Sequence, residues 1–212
     1  MRNIPMFTTD LGVASLVLDQ IPYRQTAYVH IQDTAQLTEF ADECRQFCRA
    51  AGADYVLAAG NDGLKAFPLA YEIITMVCPL ESMADTDVAL MPVTEETLSQ
   101  WLEVYNQKMV AVDGATYMSI RDGKVLLEEG SGYFIHKDGE MLGIGKAAGE
   151  TLDALATVVP GAGEIVVLAL CHALSGPLVQ VQVASTNQRG IRLYERMGFV
   201  PTKVEKQWYR LL

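Results

Sequence analysis

Residues 184–199 read ASTNQRGIRLYERMGF, and they decide how the rest of the chain is read. The run before them, Leu178 to Ala184, alternates with the period of a strand. Asn187 then offers a side-chain oxygen to the first free N–H groups of a helix predicted from Gln188 to Met197. On that helix Leu193 and Met197 stand one turn apart and can bury together, while Arg189, Arg192 and Arg196 line the other side. Tyr194 falls between the two faces, and Gly198 is placed to end the helix.

Working outward, Thr151 to Val159 reads as a strand, Pro160-Gly161-Ala162-Gly163 as a turn, and Ile165 to Leu174 as a helix closed by Ser175-Gly176-Pro177. Upstream lie the strands Ser131 to His136 and Met141 to Ala147, joined by the hairpin signal Lys137-Asp138-Gly139. Further back come a strand at Val88 to Met91 and a helix announced by Pro92 and Thr94, with Leu98, Trp101, Leu102 and Tyr105 at helical spacing. Val110 to Ile120 reads as helix or loop, and Phe199 to Leu212 as two short strands. This order predicts a mixed sheet with helices packed against it, an α/β or α+β layout.

The polar, acidic run at residues 81–87, ESMADTD, places a boundary between a segment 1–86 and a segment 87–212. The first segment predicts strands within Val13 to Leu18 and Ala27 to Ile31. A helix from Thr34 to Ala51 follows, capped by Asp33-Thr34 and ended by Gly52. Strands at Tyr55 to Ala59 and Ala70 to Val77 complete it. That order matches the order from Thr151 to Leu212, and the strand leading to Asn61 parallels the one leading to Asn187.

The 212 residues, 50% hydrophobic and 20% charged, suffice for one large core or two small ones. A formal net charge of -10 argues against a nucleic-acid partner, whose phosphates need a basic footprint. Charge is uneven, however. From Thr186 onward six basic residues face two acidic ones, which suits either an anionic ligand or a solvated helix face. No apolar run is long enough for a bilayer, and MRNIPMFTTD lacks the order of a secretory leader, so a cytoplasmic protein without a membrane partner is expected. The four cysteines show neither CxxC pairing nor zinc-ligand spacing with histidine, and no metal is expected.

The positions Asn187, Leu193, Tyr194, Gly198 and Phe199 resemble the C-terminal motif of the GCN5-related N-acetyltransferases (GNAT), and the element order extends the resemblance back to Val88. It implies an acyl-CoA N-acyltransferase fold, acetyl-CoA as co-substrate, and a primary amine of a small molecule or protein as acceptor. In that family the strand matching Thr151 to Val159 opens away from its neighbour to pair with pantetheine. The pyrophosphate is wrapped by a Gln/Arg-x-x-Gly-x-Gly/Ala loop. Here the matching loop is Gly161, Ala162 and Gly163; it is shorter, carries no Arg or Gln ahead of it, and is followed by Glu164. Glycines and a helix N-terminus suit a phosphate, whereas a carboxylate there opposes one.

The resemblance implies roles as well. A backbone N–H of Leu155 or Ala156 holds the oxyanion, Glu150 or Asp153 serves as base through water, and Tyr194 protonates the leaving thiolate. Asn187, Arg189 and Arg192 lie against the cofactor. Glu150 and Asp153 also read as plain turn residues, and His30, His136 and His172 form no catalytic grouping visible in sequence. The rival reading is a GNAT-fold binding or regulatory protein without turnover. For the first segment, a diverged half of the same fold and an unrelated extension along the substrate cleft both remain open.

Overall fold

A computed structural model describes residues 5–212. The first four residues, part of the N-terminal stretch read above for a leader, lie outside the described residues. The chain divides into two compact units, Met1–Glu72 with Glu205–Leu212, and Ile73–Val204. The boundary expected at residues 81–87 therefore falls inside the second unit.

The first unit holds β1 (Met6–Thr9), β2 (Gly12–Val17), a single turn of helix α1 (Ile21–Arg24), β3 (Thr26–Thr34), α2 (Leu37–Ala50), β4 (Tyr55–Ala59) and the start of β5 (Leu69–Pro79). α2 starts three residues later than its expected cap. Thr34 instead donates its hydroxyl to the Leu11 carbonyl at 2.7 Å, and the N-cap position is taken by Gln36 without a side-chain bond. Phe40, Ala41, Cys44 and Cys48 form the buried stripe of α2, packed on Ala14, Leu16, Val29, Ile31 and Ala58. β3 and β4 run parallel and stay paired from Thr26↔Tyr55 to His30↔Ala59.

The second unit follows the order β6 (Ala89–Pro92), α3 (Leu98–Met109), α4 (Ile120–Glu128), β7 (Gly132–Lys137), β8 (Glu140–Ala148), β9 (Thr151–Thr157), α5 (Gly163–Cys171), β10 (Leu178–Ala184), α6 (Gln188–Arg196) and β11 (Val200–Arg210). Its sheet order is β5-β10-β9-β8-β7-β6. Val110 to Ile120 turns out to be the connection between two helices. Ser119 and Asp122 form a reciprocal capping box that starts α4, a helix not expected from the sequence. Gly123 sits within α4 because a Cβ there would come 2.9 Å from Leu98 and Leu102 of α3. The two strands expected after Phe199 are one continuous strand, since no turn residue interrupts TKVEKQ.

Each unit is completed by a strand from the other half of the sequence. β5 runs from the first unit into the second, where Ile73 to Pro79 pairs antiparallel with β10. β11 ends in the first unit, where Tyr209 and Arg210 pair antiparallel with Ala58 and Leu57 of β4.

Helices cover the second sheet on both faces. α3 and α4 pack on Phe134, Ile144 and Ala156, while α5 packs on Ile135, Leu142, Ala147 and Leu152. Gly143 and Gly145 let α5 approach closely, for a Cβ on Gly143 would stand 2.9 Å from Val166 and 2.5 Å from the Ala156 carbonyl oxygen of β9. Gly143→Ala should therefore destabilise the protein by about 1–3 kcal/mol, because backbone and not a flexible side-chain tip must shift. Urea unfolding tests this, and an unchanged midpoint would show that β8 and β9 adjust freely.

Candidate active site

β9 determines the site. Opposite Gly145 of β8 the strand spends two residues, Ala154 and Leu155, because Ile144 pairs with Ala156 and Lys146 with Asp153. Ala154 takes a left-handed conformation with φ 53°, which costs an L-residue about 1–2 kcal/mol. Such a bulge bends its strand and sharpens the local twist. The parallel pairing of β9 with β10 is accordingly confined to Thr151↔Gln180 and Leu152↔Val181, and beyond these the strands part. The expected splay is present.

A cavity of about 550 Å³ occupies the gap. It is lined by Leu155, Ala156 and Thr157 from β9, by Gly161, Gly163 and Glu164 from the start of α5, and by Asn187, Arg189, Arg192 and Tyr194 from α6. The end of α3 adds Lys108, Met109 and Val112. Since α3 and α5 cover opposite faces of the sheet, the cavity is walled by elements from both faces.

Asn187 caps α6 as expected, its Oδ1 accepting from the Gly190 N–H at 2.9 Å. Gly198, with φ +90°, turns the chain so that the Phe199 N–H returns to the Tyr194 carbonyl at 3.0 Å. These two terminators set the length of α6 and so the height at which Tyr194 projects. Its ring lies 5.4 Å from that of Phe199. Only 9% of the residue is exposed, yet it lines the cavity, and no described residue hydrogen-bonds its hydroxyl. Burial, with the Asp153 carboxylate as a second cause, pushes the phenol up to about 12.

Asp153 sits one residue before the bulge, next to the cavity and not in its wall. Its side chain reaches solvent, but protein packed around the carboxyl raises its pKa, with Lys146 opposing the rise. Glu150 lies elsewhere: it packs against Gly176, its carbonyl accepts the Gln180 N–H at 2.7 Å, and it is not part of the cavity wall. Ala162 is the residue before the first turn of α5 and also lies off the wall. Gly161 takes φ +89°, a conformation that requires glycine in this tight turn. Among the described residues nothing accepts from the N–H groups of Gly163, Glu164 or Ile165 at the start of α5.

Lys108, Arg189, Arg192 and Arg196 meet one carboxylate, Glu164, on the cavity wall, and none of these cations pairs with a carboxylate among the described residues. Four unneutralised cations around one cavity, in a chain of net charge -10, describe a site for an anion. Sequence reasoning missed Lys108 and its neighbours because nothing in the spacing of α3 shows where the helix ends relative to β9. Arg196 was legible as part of the basic stripe on α6. Among the described residues no cluster of His, Cys, Asp and Glu is placed to hold a metal, and no helix is long and apolar enough to cross a membrane.

The fold is that of the GCN5-related N-acetyltransferases. No protein-family model and no curated protein matches the sequence. Solved structures do match. A GCN5-related N-acetyltransferase from Kribbella flavida is 14% identical with a TM-score of 0.56, covering 98% of this chain and 88% of that one. A presumed acetyltransferase from Pyrococcus horikoshii is 13% identical with a TM-score of 0.60, over 93% of this chain and 68% of that one. A functionally unknown conserved protein from Staphylococcus epidermidis is 10% identical with a TM-score of 0.61, over 98% and 93%. At these identities the likeness is one of fold.

If the cavity holds an anion at α5, Glu164→Gln should tighten CoA binding and Arg192→Ala should weaken it, each by about two- to fivefold. Wild-type affinity should also fall with added salt. Calorimetry reads all three, and salt-independent binding unmoved by either variant would place CoA away from these charges.

Proposed function

We propose that this chain is an acyl-CoA-dependent N-acyltransferase that carries an acetyl group from acetyl-CoA to a primary amine. The observation that carries the reading is the bulge-driven parting of β9 from β10 over a cationic cavity with a free tyrosine hydroxyl in its wall. In this reading the pyrophosphate lies against Gly161 and Gly163, at the unpaired N–H groups of α5, while the Ala162 N–H is spent on the Val159 carbonyl. Arg189 and Arg192 supply the charge that the short loop lacks, while Asn187 holds the start of α6 against the cofactor. Pantetheine runs into the gap and pairs with the edge of β9 that β10 has left.

The reaction is direct attack. Asp153, through a water, takes a proton from the incoming ammonium, and its raised pKa suits a base near neutrality better than an ordinary carboxylate. Glu150, packed against Gly176, is the weaker candidate. The amine nitrogen then bonds to the thioester carbon, and the N–H of Leu155 or Ala156 stabilises the oxyanion. As the C–S bond breaks, the nitrogen gives up its second proton to water, and Tyr194 donates its proton to the departing sulfur and regains one from solvent. A phenol held near 12 stays protonated throughout the range in which amines react.

A second reading, a GNAT-fold protein that binds an acyl-CoA without turnover, draws on Glu164 in the first turn of α5. We read the first unit as a diverged half of the same fold. β3, α2, β4 and β5 repeat the order of β9, α5, β10 and β11, and Asn61 caps a short 3₁₀ helix by accepting the Gly63 N–H at 2.8 Å, as Asn187 caps α6. β3 and β4 never part, so this half offers no slot for pantetheine.

Tyr194→Phe should keep CoA affinity and lower kcat by roughly 10²-fold, the scale of a lost general acid. Wild-type rate in a folded variant would make the tyrosine a packing residue. For Asp153 the sign is set by its raised pKa: the base form is lost as pH falls through a value above the ordinary carboxylate range. The acid limb of kcat/KM should therefore lie above that range and vanish in Asp153→Asn. An acid limb retained in the variant assigns the base elsewhere. Thermal stabilisation by acetyl-CoA, with no thiol release across a panel of amines, would favour the second reading.

A further inference from the structure

Lys108 has no task in the reaction just described. It stands at the end of α3, on the face of the sheet opposite α5, and contributes to the same cavity wall with Met109 and Val112. Its ammonium makes no ion pair among the described residues. With the acyl-CoA phosphates held at the start of α5, the pantetheine arm fills the gap from that face. The attacking amine must then arrive from the other face, where α3 ends. Two groups of opposite sign flank that route: Asp153, the first residue of β9 past its last pair with β10 and opposite Lys146 of β8, and Lys108 on the α3 wall of the cavity. Asp113, the nearest acid on the connection after α3, is engaged by the Thr186 hydroxyl at 2.8 Å.

Resting on the acyltransferase reading, we infer that the acceptor is an amine that also carries a carboxylate, an amino acid or a molecule ending in one, with Lys108 binding that carboxylate. A plain polyamine or alkylamine would present only positive charge to Lys108. A zwitterion places its ammonium toward Asp153 and its carboxylate toward Lys108. Met109 and Val112, beside Lys108, offer apolar contact to the segment between the two groups.

The test pairs amino acids with their decarboxylated counterparts as acceptors, following thiol release from acetyl-CoA, in wild type and in Lys108→Met and Lys108→Arg. The carboxylate-bearing member of a pair should be preferred. Lys108→Met should raise its KM by roughly tenfold or more, the value of one charge-assisted hydrogen bond, and Lys108→Arg should restore it. Preference for decarboxylated amines overturns the inference. So does acetyl-CoA bound in calorimetry with no carboxylate-bearing amine reacting. A Lys108→Met variant that loses acetyl-CoA affinity and keeps its acceptor KM assigns the lysine to a phosphate instead. A wild type that binds no acetyl-CoA fails at the earlier step and overturns the acyltransferase reading, this inference with it.

Discussion

The extra residue in β9 is the constraint on which the rest of the second unit depends. A strand that spends Ala154 and Leu155 opposite a single residue of β8 cannot keep register on both edges. Pairing with β8 resumes at Ala156, so the other edge gives way, and β10 is left after two pairs. That leaves backbone N–H and C=O groups at the gap, which a ligand with amide groups of its own can satisfy. The strained φ of Ala154 is tolerated because neighbours on both sides over-determine it: β8 pairs before and after the bulge, and Ala154 and Ala156 belong to the layer packed by α3 and α4.

Around this gap the helices supply what the strand cannot. α5 begins at the gap with unpaired N–H groups, and α6 brings three arginines and a tyrosine whose height is set by Asn187 at one end and Gly198 at the other. Glu164 is the discordant charge. It faces the same cavity as those arginines, so a phosphate bound there meets attraction from α6 and repulsion from the first turn of α5. The result is a site whose affinity for an anion is the difference between two terms.

The first unit offers a contrast within the same chain. Its β3 and β4 stand in the order of β9 and β10, with a helix between them, yet they pair without a bulge from Thr26↔Tyr55 to His30↔Ala59. After β4 comes a 3₁₀ turn from Asp62 to Ala66, capped by Asn61. Element order alone does not open a slot. The bulge does.

Local signals in the sequence were enough for the order of elements in the second half, α4 excepted, and for the ends of α6. Asn187, Gly198 and the spacing of Leu193 and Tyr194 act on their own helix, so their effect is readable without knowing what packs nearby. The hairpin at Asp138-Gly139, where both residues take positive φ, was legible for the same reason. Helix α4 was hidden, since Gly123 lowers helix propensity and is explained only by Leu98 and Leu102 pressing on it. The exchange of β5 and β11 between units was hidden too, because a strand carries no mark of which neighbour it will pair with. Lys108 joined the cavity, and Glu150 left it, only when the end of α3 and the turn before β9 took their places in space. Helix caps and hairpin turns are decided over a few residues, whereas strand partners, bulges and cavity walls are decided by chain segments that meet only after folding.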